Sequence, residues 1–281
     1  MIAHRQFHYH ASAHALSGAL TRPVQHVIEV QAGTVLPSTG GVGSAHVENF
    51  KVDEVISFKR GYSHVSGSVK REEGKLIHTT IATATLEHLN ILDVVTADRI
   101  VARLSSSFEE PRPGAPKPTE GTVLLIGSKF ENLRIAGHHT DVELDHELFL
   151  NLGTFAAIQD NWRQKEGRLR QIAGETHKAL KREGVLPEQL EPHRSLFCSI
   201  VKEIHFKEPG FHKSQDRYTP PGVERVGRHA IYVVDFGHFY LAEVLCQHGQ
   251  KTLTMLRVEL GSPNGGGVTG AEGTSNGQPP W

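Results

Sequence analysis

The sequence has no long apolar run: nothing in it reaches the roughly 18 consecutive apolar residues that a membrane-spanning helix needs. Its first ten residues (MIAHRQFHYH) hold no apolar h-region, so no signal peptide is read there. Charge of one sign is also lacking, because 30 Lys and Arg face 31 Asp and Glu for a formal net charge of -1. A balanced chain has no electrostatic reason to take nucleic acid or an anionic membrane as its main partner. Cysteine is scarce. Cys198 and Cys246 allow one disulfide or two buried thiols, and the sequence leaves both open. No P-loop, H-E-x-x-H or C-x-x-C pattern occurs. No catalytic residue and no organic cofactor site is assigned, and the chain is read as non-enzymatic.

What is abundant points to strands and turns. Only 38% of the residues are apolar, while 28 Gly and 14 Pro break the chain into short elements. Near the start, Phe7, Tyr9, Ala11, Ala13 and Ala15 alternate with His8, His10, Ser12 and His14, the period of two of a half-buried strand. The expected fold is mostly β, a repeated β framework of solenoid-like or sandwich-like form with one amphipathic helical insertion. The framework covers residues 1–147 with a Pro-rich loop at 109–121. The helical insertion follows at 148–187 and a C-terminal β segment at 188–261. A Gly- and Pro-rich tail over 262–281 reads as disordered.

The strongest internal signal is a hexapeptide that recurs about every 40 residues: VENFKV from Val47, LEHLNI from Leu86 and FENLRI from Phe130. Each reads apolar, Glu, Asn or His, apolar, polar, apolar. The shared register predicts that Phe50, Leu89 and Leu133 are buried at equivalent places, and likewise Val52, Ile91 and Ile135. Across the insertion the apolar period becomes helical, with Trp162, Leu169, Ile172, Ala173, Thr176 and Leu180 on one face and a break near Gly167 or Gly174.

The densest group of ligand-type side chains is His138, His139, Asp141, Glu143, Asp145 and His146. On a strand, His139, Asp141, Glu143 and Asp145 share one face, and imidazole with carboxylate at i, i+2 is a donor pattern for a divalent metal. His8, His10 and His14 make a second imidazole face without a carboxylate. Asp235 and Glu243 fall on adjacent predicted strands, where a glycosidase-like pairing of carboxylates is weighed against an ordinary sheet pair.

Several segments resemble bacterial choice-of-anchor proteins, the P group above all. They are Ala11 to Ala13 (ASA), Leu36 to Gly41 (LPSTGG), Leu89 to Asp98 (LNILDVVTAD), Gly127 to Gly137 (GSKFENLRIAG) and Asp235 to Glu243 (DFGHFYLAE). The resemblance implies a β-rich, extracellular or surface-exposed protein without enzymatic activity. This chain departs from that pattern in showing no signal peptide and no C-terminal anchor, which leaves the cytoplasm open. The expected function is that of a structural or interaction protein that forms homo-oligomers. The alternative is a glycan- or metal-binding module using residues 138–147.

Overall fold

The computed structural model describes residues 7–23, 25–111, 120–164, 167–179, 195–207, 218–261 and 264–276. The chain opens with β1 (His10–Arg22), β2 (His26–Gln31) and β3 (Thr34–Val35). Long strands follow as β4 (Gly41–Val52), β5 (Ile56–Glu72), β6 (Lys75–Ile91) and β7 (Val95–Glu109). The short β8 (Thr122–Leu124), β9 (Lys129–Glu131) and β10 (Arg134–Ile135) lead to β11 (His138–Leu144). Helices α1 (Phe155–Arg163) and α2 (Arg168–Ala179) precede β12 (Leu196–Ser199) and β13 (Val201–Phe206). The chain then forms β14 (Val223–Val226), β15 (Ala230–Val233), β16 (Gly237–Gln247), β17 (Gln250–Leu260) and β18 (Gly265–Asn276).

These strands make two antiparallel sheets that pack face to face. One runs β14-β15-β16-β17-β18-β1-β2, with β12 on β16 and β3 on β1. The other runs β13-β11-β10-β7-β6-β5-β4, with β8 and β9 on β7. β1, β17 and β18 lie against β5, β6 and β7. The mostly-β expectation holds, and of its two forms the sandwich is the one found. A continuous core reaches from Phe7 to Ala271 and includes Phe155, Ile158, Trp162 and Leu169 of the helices. The helical insertion is therefore two helices docked on the same core; of the two expected break points, Gly167 directly precedes α2 and Gly174 lies inside it. Part of the insertion, residues 165–166 and 180–187, and the centre of the Pro-rich loop, 112–119, lie outside the described residues.

The tail expectation is overturned. Residues 265–276 form β18, a central strand hydrogen-bonded to β17 on one side and β1 on the other. Glycine is required there by close approach rather than by flexibility. A Cβ on Gly270 would stand 2.9 Å from Leu86 Cδ1 and one on Gly273 2.7 Å from Leu104 Cδ1, both across the sandwich. Residues 262–263 and 277–281, with the terminal Trp281, lie outside the described residues.

The recurring hexapeptides mark a transverse crease. In β6 the buried apolar residues are Ala82, Ala84 and Leu86, then Leu89 and Ile91, so their inward spacing is three instead of two at one point. The extra residue is His88, which is exposed and left-handed at φ +53°. Asn49 (φ +54°) and Asn132 (φ +49°) hold the same place in their copies. Asn and His accept this conformation at lower cost than most side chains because a short polar group can satisfy the local backbone. The three lie on one line across the sheet, since Glu48 and Phe50 pair Arg60 and Phe58, Glu87 pairs Arg60 and Arg99, and Glu131 pairs Arg99. A matching line crosses the other sheet at Ala242 (φ +48°) and Ala271 (φ +49°). Every strand on these lines shifts its in–out alternation by one residue, so a strand that slipped would turn its apolar set to solvent.

The shared Glu of the hexapeptides has its own part in the crease. Glu48, Arg60, Glu87, Arg99 and Glu131 follow one another in direct register across five strands, with alternating sign. Glu87 takes Arg60 at 3.6 Å and Arg99 at 3.4 Å, so opposite charges meet across the β5–β6 and β6–β7 pairs. Leu89, Leu133, Val52, Ile91 and Ile135 are buried as expected, whereas Phe50 is only half-buried because β4 is the last strand of its sheet. The third copy is carried by two short strands, β9 and β10.

Candidate functional site

Antiparallel pairing of β11 with β13 sets the geometry of the ligand-type side chains. Asp141 stands directly opposite His205 and Glu143 directly opposite Glu203. Alternation puts Thr140, Val142 and Leu144 toward the core, so His139, Asp141 and Glu143 point outward. On β13, Ile204 and Phe206 are buried while Glu203 and His205 face the same outer side. An irregularity in the ladder pairs Leu144 with Val201 and leaves Lys202 as an additional residue beside Glu203.

One oxygen each of Glu143 and Glu203 and one ring nitrogen of His205 lie within 4.8 Å of one another. His205 Nε2 is 3.5 Å from Glu203, His139 Nδ1 is 3.4 Å from Asp141, and Lys207 Nζ is 3.1 Å from Asp141. Lys202 Nζ donates to Glu143 at 2.5 Å. That hydrogen bond and the ammonium charge hold the Glu143 carboxyl below its usual range and raise Lys202 above its own.

Of the six residues named from sequence, Glu143 enters this cluster and His139 and Asp141 border it. His138 points to the other side of β11 and packs near Tyr218, ring centres 5.9 Å apart. Asp145 lies past the end of the strand. Its carboxylate is 7% exposed, accepts from the Leu148 amide at 3.1 Å and pairs with Arg168 at the start of α2. It is thus an anchor between sheet and helix, and the expected shared face with Glu143 ends at Leu144. His146 is half-buried in the following turn, away from that face. Glu203 and His205 were missed, although KEIHF over Lys202 to Phe206 shows the same carboxylate–imidazole i, i+2 pattern.

The other constellations resolve differently. Asp235 sits exposed in the turn between β15 and β16, and Glu243 is deep in β16, so the two carboxylates do not face each other. Glu243 is 3% exposed and takes a bidentate pair from Arg257, Nε at 2.6 Å and Nη2 at 2.8 Å, with His229 Nε2 at 3.6 Å. Burial pushes its pKa up, but Arg257 and His229 together outweigh that and leave it below the usual value. Burial and the Glu259 charge push the Tyr240 phenol up to about 12. Cys198 and Cys246 are free, buried thiols on the neighbouring strands β12 and β16. His8, just before β1, and His10 are exposed, and His14 is half-buried on β1.

The two long sides of the sandwich are unlike. On one, the chain passes from β12 in the first sheet through Ile200 to β13 in the second. Ile200 donates to the Ala242 carbonyl and accepts from Asp145, and so ties the sheets together. On the other, β2 and β4 end their sheets and pair only with β1 and β5 among the described residues. That side exposes Val27 (73%), Val30 (58%), Val35 (66%) and Val42 (68%). β3 touches β4 there, with the site of a Gly43 Cβ 3.3 Å from the Val35 carbonyl. No helix among the described residues is long and apolar enough to cross a membrane.

A family model described as a domain of unknown function, DUF8256, matches residues 7–247. No curated protein and no solved structure matches the chain.

Proposed function

The chain belongs to the DUF8256 family, a domain of unknown function, and we propose that it is a non-enzymatic interaction protein that self-associates along the open side of its sandwich. The observation that carries this reading is the set of four exposed valines on the strands of that side. An edge strand presents unpaired amides and carbonyls, and exposed branched apolar residues beside it make it a template for another strand. A second copy is the simplest occupant because an antiparallel pairing of two identical edges closes on itself about a twofold axis. β4 is 12 residues long and carries both Glu48 and Lys51, so a symmetric partner meets opposite charges on it as well as like ones. A setting outside the cell or at its surface, implied by the choice-of-anchor resemblance, belongs to the same proposal.

Size-exclusion chromatography with light scattering tests the reading. The wild-type chain is expected at twice its monomer mass or above, and V27K/V42K at monomer mass with an unchanged melting temperature. A wild-type monomer at all accessible concentrations would sink it.

A further inference from the structure

We propose that Glu143, Glu203 and His205 form a binding site for a divalent transition-metal ion of the zinc type. The inference is independent of self-association, because the site lies on the β11–β13 ladder and not on the open side.

Three features point to it. The donor atoms already converge, all within 4.8 Å of one another. Around a tetrahedral ion with bonds of about 2.0–2.2 Å, neighbouring donors are about 3.3–3.6 Å apart. Each donor therefore has to move by about 1 Å or less, within reach of Glu side-chain torsions on a fixed backbone. The backbone is fixed by register: Glu143 and Glu203 are direct partners and His205 is two residues along on the same face. Finally, two carboxylates directly opposite on an antiparallel pair repel, and a cation between them turns that repulsion into attraction.

The donor set selects the ion class. One imidazole nitrogen with two carboxylate oxygens suits zinc or a similar first-row ion, whereas calcium and magnesium favour all-oxygen shells. Three protein donors leave a fourth position for water or a ligand atom. Lys202 is the competitor, since its ammonium holds a Glu143 oxygen that the metal would take. Its side chain is about half exposed (51%), so it can swing into solvent when the ion enters.

The test is calorimetric titration with Zn²⁺ and, separately, the visible spectrum with Co²⁺, on the whole chain. The wild type should bind one ion that Glu203→Gln and His205→Ala each weaken by at least about tenfold. Lys202→Ala should tighten it, and His46→Ala, exposed on β4, should leave it unchanged. Co²⁺ should give a visible absorption band that His205→Ala shifts or abolishes. Circular dichroism and melting of each variant separate loss of the site from loss of the fold. No saturable binding in the wild type would overturn the proposal. So would binding that survives both Glu203→Gln and His205→Ala, which would assign the ion to another of the chain's imidazole faces.

Discussion

Deleting His88 is the sharpest perturbation of the crease, because it removes a residue whose side chain packs against nothing in the core. If the crease exists to reset the in–out alternation, the deletion forces β6 to choose. Either Ala82, Ala84 and Leu86 keep their places or Leu89 and Ile91 do, and the shorter arm gives way. Leu89 is 1% exposed and Ile91 0%. Burying a side chain of this size contributes about 1.5–3 kcal/mol, so turning both to solvent costs roughly 3–6 kcal/mol. Substitutions at the same position should cost far less. His88→Gly removes a left-handed strain of about 1 kcal/mol, the low end for a side chain that tolerates this conformation, and adds backbone entropy of about 0.5–1 kcal/mol to the unfolded chain, so its net effect is within about 1 kcal/mol of zero. His88→Val puts a β-branched residue at φ +53° and should lose about 2 kcal/mol. Urea melts give the order directly: His and Gly together, then Val, then the deletion well below. A deletion that melts at or above His88→Val would refute the role of the crease.

Three further outcomes follow from the same packing. Glu243 has a folded pKa below the usual carboxylate value, so its contribution is present at neutral pH and lost as the pH falls below about 4.5 through that lowered value; Glu243→Gln should cost about 1.5–3 kcal/mol at pH 7 by removing the bidentate partner of Arg257, which keeps Glu259, and should flatten the acid limb of the stability curve. Tyr240 is the opposite case: with a folded pKa raised to about 12 from 10.0, its contribution is complete below pH 10 and lost as the pH rises toward 12, and Tyr240→Phe should remove that alkaline loss in chemical melts. Gly273→Val should cost about 1–3 kcal/mol by driving a side chain into Leu104, and Leu104→Ala in the same chain should recover part of that loss, a coupling that a double-mutant cycle measures.

The repeat was legible before the structure and the crease was not, although the crease leaves a sequence trace that ordinary strands do not. An uninterrupted strand writes apolar residues at every second position. VENFKV, LEHLNI and FENLRI write them at the first, fourth and sixth, which is the alternation broken once by a left-handed residue. The Glu that gave the copies their register is likewise physical, since it meets Arg60 or Arg99 on the neighbouring strand. What the pattern could not convey is that the copies lie side by side in one sheet. Nor was β18 legible. GGGVTGAEGTSN carries almost no side chain to alternate, and its composition is that of a loop. Its place is dictated by its neighbours: Leu86 and Leu104 already fill the space that a Cβ at 270 or 273 would need. Glycine in such a strand records how near the other sheet comes, and that distance belongs to residues more than 150 positions earlier in the chain.

The candidate site divides along the same line between local and distant information. Period-two reasoning correctly placed His139, Asp141 and Glu143 on one outer face, because the backbone alone fixes that. It failed at Asp145, where the strand had already ended and the carboxylate turned inward to Arg168. The strand's end depends on Asp145 donating its amide to Ile200, a contact made across 55 residues that include both helices. The other half of the cluster, Glu203 and His205, lies beyond those helices, and only the β11–β13 register shows that they face Glu143 and Asp141. Ligand sites on antiparallel ladders are in general split in this way. Each strand announces its own donors, and the pairing that brings them within reach of one ion is a property of the sheet. A search for sites in such chains therefore gains by aligning every outward His–carboxylate i, i+2 pair with every other in antiparallel sense. In antiparallel sense Asp141 meets His205 and Glu143 meets Glu203, so the outward donors of the two strands complete one cluster.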